Sequence, residues 1–311
     1  MGLYPMKLKP VLKDAIWAGS RLAGEYNKSG NPDQKIAESW ELTVHKNGVN
    51  TIENGEYAGK TLEDIWGGEK FPLLIKFIDA EQDLSVQVHP DDEYAAKYED
   101  GELGKTEMWY IIDAKPGAKI VYGLNADYTR EDLQNLIDNN RFEECLNYIE
   151  VKPGDVYFIP AGLVHAIGAG ILIAEVQQNS DTTYRFYDYN RTDADGNPRE
   201  LHIEKALDIC IKTKTEYKSP KVKIHECSEI LSVCEYFKVE KVNFTGKGSV
   251  EFSTDSFVSI ICLDGKGDII HNNKIYEIKK GVSYFIPAGL NNIKITGTIE
   301  FIMTNLNGGI S

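Results

Sequence analysis

Residues 84–90, Leu-Ser-Val-Gln-Val-His-Pro, set three polar side chains at two-residue spacing. Read as a strand, Leu84, Val86 and Val88 face one side, and Ser85, Gln87 and His89 the other. The β-branched valines favour the extended chain, and Pro90, lacking an N–H, ends the ladder. A lone histidine on such a strand is usually not a ligand, and a half-solvated edge strand is its plain reading. Two further segments change that balance. Residues 105–112 place Lys105 and Glu107 on one strand face, and residues 157–165 deliver His165 straight after a Pro160-Ala161-Gly162 turn. His89, Glu107 and His165, with Gln87 beside them, form a candidate divalent-metal site on a β-scaffold.

The rest of the chain must position these groups. Its 311 residues can bury a large core, and 26% charged with 42% hydrophobic residues is ordinary for a globular protein. A net charge of -14 argues against a nucleic-acid binder, and it requires local cations wherever an anion is bound. Five cysteines without CxxC spacing read as reduced thiols of a cytoplasmic protein. The N-terminus lacks a basic region followed by an apolar run, and no apolar stretch is long enough to cross a bilayer. A monomer or a homodimer is expected, with no membrane partner.

Short strands and turns are expected over the first seventy or so residues, with a brief helix at 61–66 begun by Thr61. The apolar stretch 71–79 reads as a strand interrupted by Lys76, either a lysine stem on a half-exposed strand or an anion contact. Helices are expected at 91–98, 129–139 and 202–211, strands at 171–177 and 183–189, and a loop at 193–198. The most informative feature is a repeat. Residues 151–163, VKPGDVYFIPAGL, recur as residues 278–290, IKKGVSYFIPAGL. Two similar β-modules follow, residues 1–211 and 212–311, the first with a short helical segment near 127–147. Asn292 stands where the first copy has His165, so the metal chemistry is expected in the first module alone.

The glycine, Phe-Ile-Pro-Ala-Gly and His pattern resembles part of a cupin barrel motif. Leu84–Pro90, Gly104–Met108, Ile159–Ala166, Asn179–Arg185 and Ala37–Glu41 together resemble type I mannose-6-phosphate isomerase in its short bacterial form. The resemblance implies a mainly β bicupin, two jelly-roll barrels, with zinc held by Gln87, His89, Glu107 and His165. It also places the family's essential arginine on Arg185. Glutamine is not among the usual zinc ligands, so on spacing alone manganese or iron stay open.

Such an enzyme interconverts mannose 6-phosphate and fructose 6-phosphate through an anionic enediol, which a Lewis acid stabilises. Lys105 shares the face of Glu107 and is suited to the enediolate or to proton transfer; a strand-end surface lysine is the alternative. Arg185, with Thr183 and Tyr187 expected on its face, suits an oxyanion or a phosphate. Glu175, on an otherwise apolar strand, is either a base or the buried partner of Arg185. Ser85 and Lys76 are candidate phosphate contacts. A cupin dioxygenase or a non-catalytic sugar-binding bicupin is the competing reading. The dioxygenase would favour a histidine where Gln87 stands, and a binding module has no need of Lys105 and Arg185 about a metal.

Overall fold

The computed structural model describes residues 2–68, 70–192 and 196–306, with backbone alone at 245–247. The loop expected at 193–198 lies partly outside them. Among the described residues the chain is mainly β. One sheet runs Val156–Ile159 (β12), Glu107–Ala114 (β9), Ile171–Gln178 (β14), Leu73–Ala80 (β7), Glu38–Leu42 (β3) and Val11–Lys13 (β2). A second runs Leu146–Glu150 (β11), Lys119–Leu124 (β10), His165–Ile167 (β13), Val86–Val88 (β8) and Tyr184–Tyr187 (β15). The third begins with Val222–His225 (β16), Ser228–Val233 (β17), Lys238–Phe252 (β18) and Ile293–Asn305 (β22). It continues through Val258–His271 (β19), Ser283–Ile286 (β21), Met6–Lys9 (β1) and Thr51–Ile52 (β6), with Lys274–Lys279 (β20) beside β19. Val44–His45 (β4) and Gly48–Val49 (β5) form a small hairpin. The helices are Arg21–Gly24 (α1), Leu62–Trp66 (α2), Asp92–Tyr98 (α3), Arg130–Asp138 (α4) and Ile203–Ile209 (α5).

Alternation along each strand stacks these sheets into layers. On β9, Met108 and Tyr110 join the apolar layer shared with the third sheet, while Trp109 and Ile111 face the second. Ile75 and Phe77 of β7 likewise face outward and Ile78 inward, so both faces of this strand are buried. That explains the apolar run at 71–79. It also corrects the reading of Lys76, which is 3% exposed and not a stem on a half-exposed strand. Helices α4 and α5 cover the outer face of the second sheet through Leu133, Ala206 and Leu207. Thr129 and Asp132 form the capping box that starts α4 where the sequence placed it.

The N-terminal strand β1 pairs with β21 through Met6↔Phe285 and Lys7↔Tyr284. Sheet membership therefore crosses the chain: β1 and β6 lie in the sheet built chiefly from residues 222–305. Both copies of the repeat fold as a glycine turn, a strand and a second glycine turn. Gly154 and Gly281 have φ of 90° and 81°, and Gly162 and Gly289 have 84° and 80°. The copies part company after the second turn. His165 opens strand β13, whereas Asn292 takes a left-handed φ of 56° just before β22.

Candidate metal centre

Strand β8 is only three residues long, and this changes the face assigned to Leu84. Leu84 packs in the layer between the first two sheets, while Val86 and Val88 pack outward beneath the helices. Gln87 keeps its inward place, and His89 follows the strand directly. His165 pairs with Gln87 across β13 and β8. Glu107 opens β9 on the facing sheet. Lys105 and Thr106 run ahead of that strand, which spans 107–114 instead of 105–112, because the Lys105 N–H donates to the Pro90 carbonyl at 2.9 Å.

The two imidazoles are held in a defined state. Nδ1 of His89 lies 2.8 Å from the Thr182 carbonyl, and Nδ1 of His165 lies 2.8 Å from the Leu163 carbonyl. A carbonyl only accepts, so each Nδ1 carries the proton and each Nε2 presents a lone pair. Those Nε2 atoms are 3.1 Å apart, and His89 Nε2 is 3.2 Å from Glu107 Oε1. Facing lone pairs repel unless a cation sits among them, and Glu107 brings a buried carboxylate to the same point. The donor atoms of His89, Glu107 and His165 lie within 4.8 Å of one another, all buried. This arrangement fits a divalent cation. Gln87 Nε2 is 3.4 Å from His165 Nε2, and a half-turn of its amide would present Oε1 at the same place.

Burial, then the charge of Lys105, depresses His89 to about 3, and burial depresses His165 as well. Burial alone would raise the Glu107 carboxyl. The Lys105 ammonium beside it outweighs burial and holds the group well below its ordinary value. Neutral imidazoles beside an ionised carboxylate are the protonation states that ligation requires.

Around this cluster stand the other expected residues. Lys105 is 4% exposed with Nζ 3.1 Å from Glu107 Oε1, so it is no surface lysine. Ser85 Oγ lies 3.5 Å from Gln87 Oε1. Arg185 is paired directly opposite Gln87 across β15 and β8, hence on the same side of the sheet, and its buried Nε has no acceptor among the described residues. Tyr187 does not share that face. A bulge between residues 185 and 187 pairs it with Val86, and it packs outward. Nor is Arg185 the partner of Glu175. The carboxylate meets Lys76 Nζ at 3.0 Å, and that lysine also reaches Glu38 at 3.4 Å. Burial, then the charge of Glu107, pushes the Glu175 carboxyl up to about 7.

Three participants had no separate reading from sequence. Trp109 Nε1 bridges Glu107 Oε2 at 3.0 Å and Glu175 Oε2 at 2.7 Å. Glu38 accepts from Trp40 Nε1 at 2.6 Å as well as pairing with Lys76. Gln177, fully buried, pairs across the sheet with Glu107. Period-two spacing marks each of them: Trp109 two residues after Glu107, Gln177 two after Glu175, and Glu38 two before Trp40. Outside, Lys13, Trp17, Glu38, Trp40, Asn47 and Asp181 line an open cavity of about 290 Å³.

Two facing antiparallel sheets around a buried His/Glu/His cluster define a metal-centred β-sandwich protein. Comparison with known proteins narrows this class. The model of the phosphomannose isomerase type I catalytic domain matches residues 6–120, and that of the mannose-6-phosphate isomerase cupin domain matches residues 228–306. Mannose-6-phosphate isomerase ManA of Bacillus subtilis is 43% identical over 98% of this chain and 100% of its own. The mannose-6-phosphate isomerase of Streptococcus mutans is 37% identical over 97% and 98%. A solved mannose 6-phosphate isomerase structure from Bacillus subtilis superposes with a TM-score of 0.90 at 37% identity, covering 97% of this chain and 99% of that one. The chain belongs to the type I mannose-6-phosphate isomerase family.

Proposed function

We propose that the chain is a metal-dependent aldose–ketose isomerase interconverting mannose 6-phosphate and fructose 6-phosphate through an enediol. One divalent cation, zinc, would be held by Gln87, His89, Glu107 and His165. The observation carrying this reading is the convergence of two unprotonated Nε2 atoms on a buried carboxylate. When bound, the cation supplies Lewis acidity toward the oxygens of the reacting carbons. Two neutral imidazoles, a neutral amide and one carboxylate leave it a net positive charge.

The chain's own residues divide the remaining work. Glu175, poised near neutral pH, takes and returns the carbon-bound proton. Trp109 orients its carboxylate, and Lys76 holds the other oxygen. With both its contacts on carboxylates, Lys76 serves Glu175 more directly than it serves the substrate, which leaves phosphate to Ser85 and Arg185. Lys105 adds positive charge beside Glu107 where negative charge develops on the substrate. Arg185 brings a guanidinium with a donor unpaired among the described residues, matched to an oxyanion or a phosphate.

The matching repeat turns support a bicupin, with the metal in the first module and a second that seals the back of the first sheet. Five cysteines, none in a disulfide among the described residues, accord with a cytoplasmic setting. The test is elemental analysis of the purified protein with a coupled assay on mannose 6-phosphate. One equivalent of metal and activity that disappears on chelation are expected. Two equivalents, or metal without isomerisation, would contradict the assignment.

A further inference from the structure

The turn between β17 and β18, residues 234–237, reaches from the third sheet to the edge of the metal centre. There the Tyr236 hydroxyl donates to Asp92 Oδ2 at 2.9 Å. Burial, then the hydrogen bond and charge of Asp92, keep the phenol protonated, so its direction as donor is fixed. Asp92 is the first residue of α3 and lies three positions beyond His89. Its Oδ1 accepts from the Gly104 N–H at 2.7 Å and from Gln178 Nε2 at 2.9 Å. Gln178 in turn accepts the Thr106 N–H at 2.9 Å through Oε1. Thr106 stands between Lys105 and Glu107.

These bonds close around a contact with no slack. A Cβ added at Gly104 would lie 2.5 Å from the backbone carbon of Asp91 and the nitrogen of Asp92. The Lys105 N–H is tied to the Pro90 carbonyl at 2.9 Å. One carboxylate thus fixes the segment after His89 against the segment before Glu107, two metal-site groups from opposite sheets. Among the described residues its four donor contacts come from Gly104, Gln178 (to both oxygens) and Tyr236. Only Tyr236 comes from the C-terminal part of the chain.

We infer that Tyr236 and Asp92 are positioning residues: through Asp92 and Gln178, the C-terminal hairpin sets Lys105 and Glu107 against His89. The second module thereby acts on the metal site without supplying a ligand. This rests on the metal-site reading above, and its kinetic arm rests on the isomerase reading. Neither residue is assigned to the substrate.

The experiment uses the full chain with Asp92→Asn and Tyr236→Phe, read by Zn2+ affinity in a chelator competition, by kcat and KM on mannose 6-phosphate, and by thermal denaturation. Asn at position 92 can still accept from Gly104, but its amide group then meets a donor from Gln178 or Tyr236. Asp92→Asn should weaken Zn2+ binding by about 10-fold, the lower end for residues supporting metal ligands, with kcat falling and KM little changed. Tyr236→Phe, which removes one hydroxyl and keeps the ring, should move both quantities the same way by less. Should Asp92→Asn fail to fold, Tyr236→Phe decides. Wild-type Zn2+ affinity and kcat in Tyr236→Phe, with only a lowered melting temperature, would reduce the hairpin to a docking element and overturn the inference. If the wild-type chain binds Zn2+ but does not isomerise, the isomerase reading fails while the affinity arm still tests the positioning role.

Discussion

Glu175 has the environment of a group that must change its protonation state. Buried and near Glu107, it titrates at about 7 in the fold against an ordinary 4.5. Between those values the folded protein holds a proton that the unfolded chain has lost, so stability falls as pH rises through the window. The span corresponds to on the order of 3 kcal/mol. Urea unfolding of the metal-free protein and of Glu175→Gln, at pH values below and above this range, should show wild type losing stability relative to the variant. A pH-independent difference would rule the shift out. Arg185 is the second residue to test. If it meets developing charge, Arg185→Ala should lower kcat by about 10²-fold or more, and Arg185→Lys should restore only part. A raised KM with kcat unchanged would make it a phosphate anchor instead. Residue types and period-two spacing made Gln87, His89, Glu107 and His165 legible as a group. Lys76 was harder to read, because its partners Glu38 and Glu175 come from flanking strands whose register no local pattern reveals.

At the scale of elements, the repeat offers an internal control. Gly162 and Gly289 close equivalent turns with nearly equal positive φ, so a side chain strains either one. Their surroundings differ. A Cβ at Gly162 would lie 2.9 Å from the Ile209 carbonyl, whereas at Gly289 no described residue stands within 4 Å. The Gly162 N–H also donates to the His89 carbonyl at 2.9 Å, coupling this turn to the metal site. Gly289→Ala should cost about 1–2 kcal/mol for the left-handed backbone alone. Gly162→Ala should cost more and weaken metal binding, by thermal denaturation and metal titration respectively. Equal losses from the two would mean that the turn relaxes freely in both places. Strands, capped helices and both turns were readable because their signals are local. The bulge in β15 is not, since an extra residue in a strand leaves no mark on a short alternating pattern, and alternation alone puts Tyr187 on the wrong face.

For the whole molecule, the layers are joined by a buried ion pair that composition would not suggest. Lys28 sits in a polar loop, yet its ammonium lies 2.7 Å from Glu41 Oε1 with both side chains almost fully buried. Glu41, next to Trp40 on β3, points away from the metal centre. It also accepts from Ser39 Oγ at 2.5 Å and from Ser283 Oγ on β21. Lys28 donates besides to the Gly281 carbonyl at 2.5 Å, in the glycine turn of the second repeat. The pair pins the first sheet to the third, a contact far apart in sequence and therefore invisible to any local reading. Its desolvation offsets much of the attraction, so its removal as a unit and its breakage differ sharply. Lys28→Met should cost about 3–5 kcal/mol in urea unfolding, because it strands the Glu41 charge among apolar layers. Lys28→Met combined with Glu41→Met should recover most of that loss, since no charge is then left buried. If the double variant is as unstable as the sum of the two single ones, the pair contributes through independent contacts, and the layers are held by apolar packing without this pin.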